Sequence, residues 1–117
     1  MLRVSLVLAT LVAVVGIVAG PSVAARSHAA ATAVKVTATE FHFKLSKTSV
    51  KHGSVTFTVK NAGSVGHDFK IGGKKTPVIG PGKTAKLTVT LKAGKQAYSC
   101  TVPGHAALGM KGTLTVK

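Results

Sequence analysis

The 117-residue chain has two acidic residues, one cysteine, one tyrosine and no tryptophan. Against sixteen Lys plus Arg, the two carboxylates leave a formal charge of +14, which excludes an acidic calcium-binding protein and favours partners of negative sign. A single thiol excludes an intramolecular disulfide, so a small domain must be held by its core, with a metal as the remaining staple. The length leaves room for one domain and excludes a multidomain enzyme. Aromatic residues, at 4%, are too few to stack on bases, and the lysines are scattered through the pattern, so the charge does not read as a nucleic-acid surface. There is no sustained helical stripe after the first segment, no internal repeat, and no low-complexity tract beyond a run of alanines.

What is present begins with a leader. Met1 to Arg3 carries one positive charge, and Val4 to Ala19 is an apolar run broken only by Ser5, Thr10 and Gly16. Small residues in Ser22-Val23-Ala24 suit cleavage after Ala24, which makes 1–24 a secretory signal peptide. The rival reading is an uncleaved anchor, because about 20 apolar residues span a bilayer and this run is only slightly shorter. Either way the domain is expected outside the cytoplasm, periplasmic or extracellular. Residues 25–33, rich in Ala with Arg26, Ser27 and His28, read as a disordered lead-in to a domain over 34–117.

From Val34 the hydrophobic period is two, with closely spaced turn signals, as in an all-β protein. Val34, Val36 and Ala38 share a face; Phe41, Phe43 and Leu45 continue it after a phase change near Thr39 and Glu40, expected as a bulge that kinks one strand. Val55, Phe57 and Val59 alternate up to the Asn61-Ala62-Gly63 turn. His67, Phe69 and Ile71 then share a face before Gly72-Gly73. Ala85, Leu87, Val89 and Leu91 point one way, Gln96, Tyr98 and Cys100 form the next row, and Leu114 and Val116 close the domain. Seven to eight strands in this length predict a two-sheet Greek-key β-sandwich.

The chemistry is concentrated in Cys100-Thr101-Val102-Pro103-Gly104-His105-Ala106-Ala107-Leu108-Gly109-Met110, where a thiol, an imidazole and a thioether recur every five residues. A second imidazole, His67, opens an earlier strand. Two His, one Cys and a weak Met form a blue-copper ligand set. Thiolate and thioether favour Cu(I) and imidazole tolerates both oxidation states, whereas structural zinc takes four strong ligands and does not suit a methionine. His28, His42 and His52 lack such company and read as solvated.

On these residues the chain resembles the cupredoxins, and within them the azurins. Cys100-Thr101, Pro103-Gly104-His105 and Met110-Lys111-Gly112-Thr113-Leu114-Thr115 are similar to the azurin C-terminal ligand loop and final strand, and Gly66-His67 to the first ligand region. The resemblance implies one type 1 copper ion held by His67, Cys100 and His105, with Met110 axial and the Gly66 carbonyl a weak distant contact. It also makes Asp68 and Thr101 the neighbours that tie the ligand loops. There are departures. Gly109 makes the His105 to Met110 interval one longer than in azurin, as in plastocyanin. Phe69 replaces a buried Trp, Asp68 stands where the family often has Asn, and azurin's disulfide and helical flap are missing.

The resemblance further implies a monomer that exchanges single electrons through the exposed edge of His105, rimmed by Pro103, Gly104, Ala106, Ala107 and Leu108. Lysines would steer it to redox partner proteins with an acidic face, or to an anionic membrane or wall surface. No enzyme activity is expected, since Ser99 and Thr101 flank Cys100 where the related copper enzymes place a histidine that passes electrons to a second copper. The alternative is a protein that stores copper or delivers it, for which a mature chain with only Met110 is poorly equipped.

Overall fold

The computed structural model describes residues 12–16, 20 and 30–117. Cleavage after Ala24, the retained anchor and His28 fall wholly or largely outside those residues. Among the described residues no helix is long and apolar enough to cross a membrane.

Among the described residues nine strands follow one another: β1 Thr32–Thr39, β2 His42–Leu45, β3 Ser49–Val50, β4 Gly53–Asn61, β5 Lys70–Ile71, β6 Lys74–Lys75, β7 Thr84–Leu91, β8 Gly94–Ser99 and β9 Lys111–Val116. They form a four-stranded sheet, β2-β1-β4-β7, and a five-stranded sheet, β3-β9-β8-β5-β6. The chain passes between the sheets repeatedly, as a Greek-key sandwich requires. Both sheets are mixed, because β1 runs parallel to β4 and β3 parallel to β9.

Alternation decides which face is buried, and register makes the buried rows coincide. Val34 and Val36 of β1 pair with Phe57 and Val59 of β4, and these continue into Leu87 and Ala85 of β7. Ile71 and Leu114 of the second sheet, with Phe69 just before β5, join them in one hydrophobic core. Each such side chain contributes about 1.5–3 kcal/mol by leaving water. Phe69 fills the sandwich centre, edge-on to Phe43 at 5.2 Å and tilted against Phe57 at 5.1 Å. The outer faces are polar. Lys44, Thr37 and Lys60 form one row across the first sheet, and Thr56 and Thr88 hydrogen-bond across strands at 2.9 Å.

Three expectations are corrected. The described residues form nine strands, because the two-residue strands β3, β5 and β6 are too short to carry a periodic signal. β1 begins at Thr32, where parallel pairing with Val55 orders residues assigned to the lead-in. The supposed bulge at Thr39 and Glu40 is a hairpin in which Thr39 pairs with His42 and Glu40 and Phe41 form the turn. A reversal leaves Ala38 opposite Phe43 on the same inner face, so alternation alone cannot distinguish it from a kink.

Candidate metal centre

The loop after β4 is fastened by a buried asparagine. Asn61 donates through Nδ2 to the carbonyls of Val65, 2.7 Å, and Ile79, 2.8 Å, and accepts from the Gly63 N–H at 2.9 Å. His67 then joins the chain at Ile79 through a reciprocal backbone pair of 3.2 and 2.7 Å. Two short bridges thus place the imidazole inside one end of the sandwich, fully buried.

Cys100 directly follows β8 and Met110 directly precedes β9, and the intervening loop is closed on itself. The Cys100 N–H donates to the Met110 carbonyl at 3.0 Å, and the Met110 N–H donates to the His105 carbonyl at 3.1 Å. A short 3-10 turn, Ala106–Leu108, follows His105 and ends at Gly109, whose φ of 106° suits glycine. The residue that lengthens this interval is therefore absorbed as the turn's terminator, its N–H donating to the Ala106 carbonyl at 3.0 Å.

These two loops bring His67, Cys100 and His105 together, with one donor atom of each within 4.8 Å of the others. His67 Nδ1 and His105 Nδ1 are 3.1 Å apart, and Cys100 Sγ lies 3.6 Å from His105 Nδ1. Metal bonds of about 2.0 Å to nitrogen and about 2.3 Å to sulfur subtend such separations at angles of about 100–115°. The two imidazoles and the thiol thus fit a single transition-metal ion. The Met110 side chain is buried in the core, and its backbone is hydrogen-bonded to both Cys100 and His105. Gly66 adjoins His67 and packs so closely on Val78 that a Cβ there would meet its Cγ1 at 2.8 Å. His42 and His52 lie outside the cluster, and His52 Nδ1 instead bonds the Lys117 carbonyl at 2.8 Å.

Burial pushes the Cys100 thiol up from its ordinary range, while the backbone N–H of Asp68, 3.5 Å from Sγ, acts in the other direction. A buried thiolate needs a cation to be favoured here. The Asp68 carboxylate accepts from both the Thr101 N–H and the Thr101 hydroxyl. The link between ligand loops is therefore present with Asp in place of Asn.

Sequence reasoning missed Glu40 and Phe41. Glu40 Oε1 lies 3.2 Å from His67 Nε2 and accepts from the N–H groups of Ser64 and Val65 at 2.7 and 3.0 Å. The Val65 and Ser64 N–H groups, in that order, hold its carboxyl at about 2, below the usual carboxylate range. Phe41 stands edge-on to His105, ring centroids 5.0 Å apart. The available signal was scarcity: Glu40 and Asp68 are the chain's only acidic residues. Also missed were Val65 and Val78, 43% and 63% exposed, which extend the apolar surface that Leu108, 63% exposed, and Pro103 present around half-buried His105. A cleft of about 430 Å³ beside His105 has Val65, Val78, Val102, Pro103 and Lys75 among its lining residues.

A family model described as a cupredoxin-like domain matches residues 8–116. The copper-resistant cuproprotein CopI of Pseudomonas aeruginosa is 46% identical over 41 residues, 34% of this chain and 23% of that protein, so the match spans less than a quarter of that relative. Auracyanin A of Chloroflexus aurantiacus, described as a "blue" copper protein, is 25% identical with a TM-score of 0.63, covering 75% of this chain and 100% of that one. Dithionite-reduced auracyanin of Roseiflexus castenholzii is 24% identical with a TM-score of 0.63, covering 76% and 99%. An azurin of Methylomonas sp. strain J, 19% identical over 75% and 99% with a TM-score of 0.60, shares the fold.

Proposed function

The chain belongs to the cupredoxin-like domain family, and from that premise we propose that it is an exported one-electron carrier. Its cofactor is one type 1 copper ion. Copper supplies exchange of a single electron between Cu(I) and Cu(II), for which a mixed nitrogen and sulfur donor set is suited.

In this reading His67 Nδ1, Cys100 Sγ and His105 Nδ1 would be the strong ligands, Met110 would supply a weaker thioether ligand, and the Gly66 carbonyl would be a distant contact. The observation that carries it is the meeting of two imidazole nitrogens and the chain's one sulfhydryl within 4.8 Å, drawn from loops more than thirty residues apart. Asp68 and Thr101 hold those loops in register, so the donors stay in place when the charge of the centre changes. Half-buried His105 is the exit, and Pro103, Gly104, Ala106, Ala107 and Leu108, joined by Val65 and Val78, give it an apolar contact surface with little to desolvate.

The lysines support an acidic redox partner. Lys75 pairs with Lys70, Lys70 with Ser99, and Ser99 with Lys111, a row across the second sheet at the end that carries Cys100 and Met110. Like charges opposite one another cost stability unless something anionic meets them. The same surface suits an anionic membrane or wall. The leader supports a periplasmic or extracellular site, and Ser99 and Thr101 beside Cys100 support a carrier over an enzyme.

The test is titration of the purified chain with Cu(II). An intense thiolate-to-copper band in the visible and a type 1 paramagnetic resonance spectrum are expected at one equivalent, and both should vanish in Cys100→Ser. A colourless complex in the unaltered protein overturns the reading.

A second reading rests on the 41-residue match to a copper-resistant cuproprotein: the chain sequesters or hands on copper. Release of Cu(I) to a competing acceptor faster than electron exchange with a redox protein would favour it.

A further inference from the structure

Both carboxylates of a chain with sixteen Lys plus Arg lie against the metal centre. Asp68 is occupied with Thr101. Glu40 is the unexplained one: its side chain is 31% exposed, yet among the described residues it forms no ion pair with any lysine. One of its oxygens, Oε1, instead receives Ser64 N–H, Val65 N–H and His67 Nε2 together. The fit is tight on the backbone side as well, because no room remains for a Cβ at Gly63 against Glu40.

We propose that Glu40 is the positioning residue of the centre, holding His67 by Nε2 so that Nδ1 is the nitrogen offered to the metal. The inference rests on the copper reading of that site. Its chemistry follows from the imidazole. A neutral ring carries one proton, on either nitrogen, and a carboxylate oxygen already receiving two backbone N–H groups can only accept. The proton therefore resides on Nε2 and the Nδ1 lone pair is left facing His105 and Cys100. An anionic acceptor also makes the ring a more basic ligand, which favours the higher oxidation state. The same turn reaches the other imidazole, since Phe41 packs edge-on against His105, so one hairpin sets the orientation of both rings.

A loop staple with no role at the metal would produce the same backbone bonds, and two variants separate the cases. Glu40→Gln keeps an oxygen acceptor and loses the charge; Glu40→Ala loses both. Nitrogen-15 NMR of the imidazoles in the copper-free protein is expected to show His67 as the Nε2–H tautomer in the unaltered protein and in Glu40→Gln, and as a tautomer mixture in Glu40→Ala. With copper, Glu40→Gln should have a raised reduction potential, and Glu40→Ala should bind the metal about 10- to 100-fold less tightly. A His67 tautomer unchanged in Glu40→Ala, or a potential unchanged in Glu40→Gln, overturns the proposal. If the unaltered protein forms no blue complex, the copper reading fails, while the metal-free tautomer measurement still decides what Glu40 does to His67.

Discussion

Asp68 and Thr101 join the two ligand loops through one carboxylate, which receives both the Thr101 N–H and the Thr101 hydroxyl, while the Asp68 N–H points at Cys100 Sγ from 3.5 Å. One residue thereby fixes the loop that follows the sulfur and also supplies a donor to the sulfur itself. Asp68 is 3% exposed, so its removal takes a buried acceptor from both Thr101 donors at once.

Asp68→Ala is expected to destabilise the copper-free protein by about 1–3 kcal/mol, the cost of leaving partly buried donors unpaired. Urea unfolding followed by circular dichroism measures this. Asp68→Asn retains an acceptor for the Thr101 N–H and should lose less. Equal stability of all three forms would remove the tie from the account.

Gly109 offers a test of how the longer ligand loop is accommodated. Its φ of 106° disfavours any side chain, although a Cβ there would meet only the Phe41 carbonyl, at an ordinary 3.8 Å. Gly109→Ala should therefore cost about 1–2 kcal/mol from backbone strain alone. The expected readout is a lower denaturation midpoint with an unchanged dependence on denaturant concentration.

Electron exchange with an acidic redox protein should slow as salt rises, since the Debye length contracts to about 8 Å at physiological ionic strength. Replacing Lys70, Lys75 and Lys111 with Gln should lower the rate at low salt and flatten its salt dependence. Stopped-flow measurements that find the same slope in both proteins would take the steering role away from this row.

The acid limb of stability should carry the signature of Glu40. Its carboxyl titrates at about 2 when folded, against an ordinary value of 4.5, so the unfolded chain takes up the proton first as pH falls. The contribution is complete above about pH 4.5 and declines from there to about pH 2. Copper-free Glu40→Gln should show a shallower loss of stability across that window, measured by denaturant midpoints at successive pH values.

Much of the sandwich was legible because burial is written in alternation. Val34, Val36, Val55, Phe57, Val59, Val89, Leu114 and Val116 all lie inside, as their spacing implies. Alternation does not say which strand lies beside which, so the parallel pairing of β1 with β4 was invisible. The β1–β2 reversal was hidden for a related reason: it contains no glycine, proline or asparagine, and bonds from Glu40 to Ser64 and Val65 fasten it from outside. The cysteine loop was legible because its donors are close in sequence and few structures other than a metal site need them together. Glu40, Val65 and Val78 were not, since each acquires its meaning from a partner on another loop.

The lone sulfhydryl, 1% exposed, has a further implication for how the chain matures. Within this sequence no mispaired bridge can form, so folding of the sandwich includes no disulfide step. Once the sheets close, that sulfur is shielded from coupling to a neighbouring molecule and kept in the reduced form.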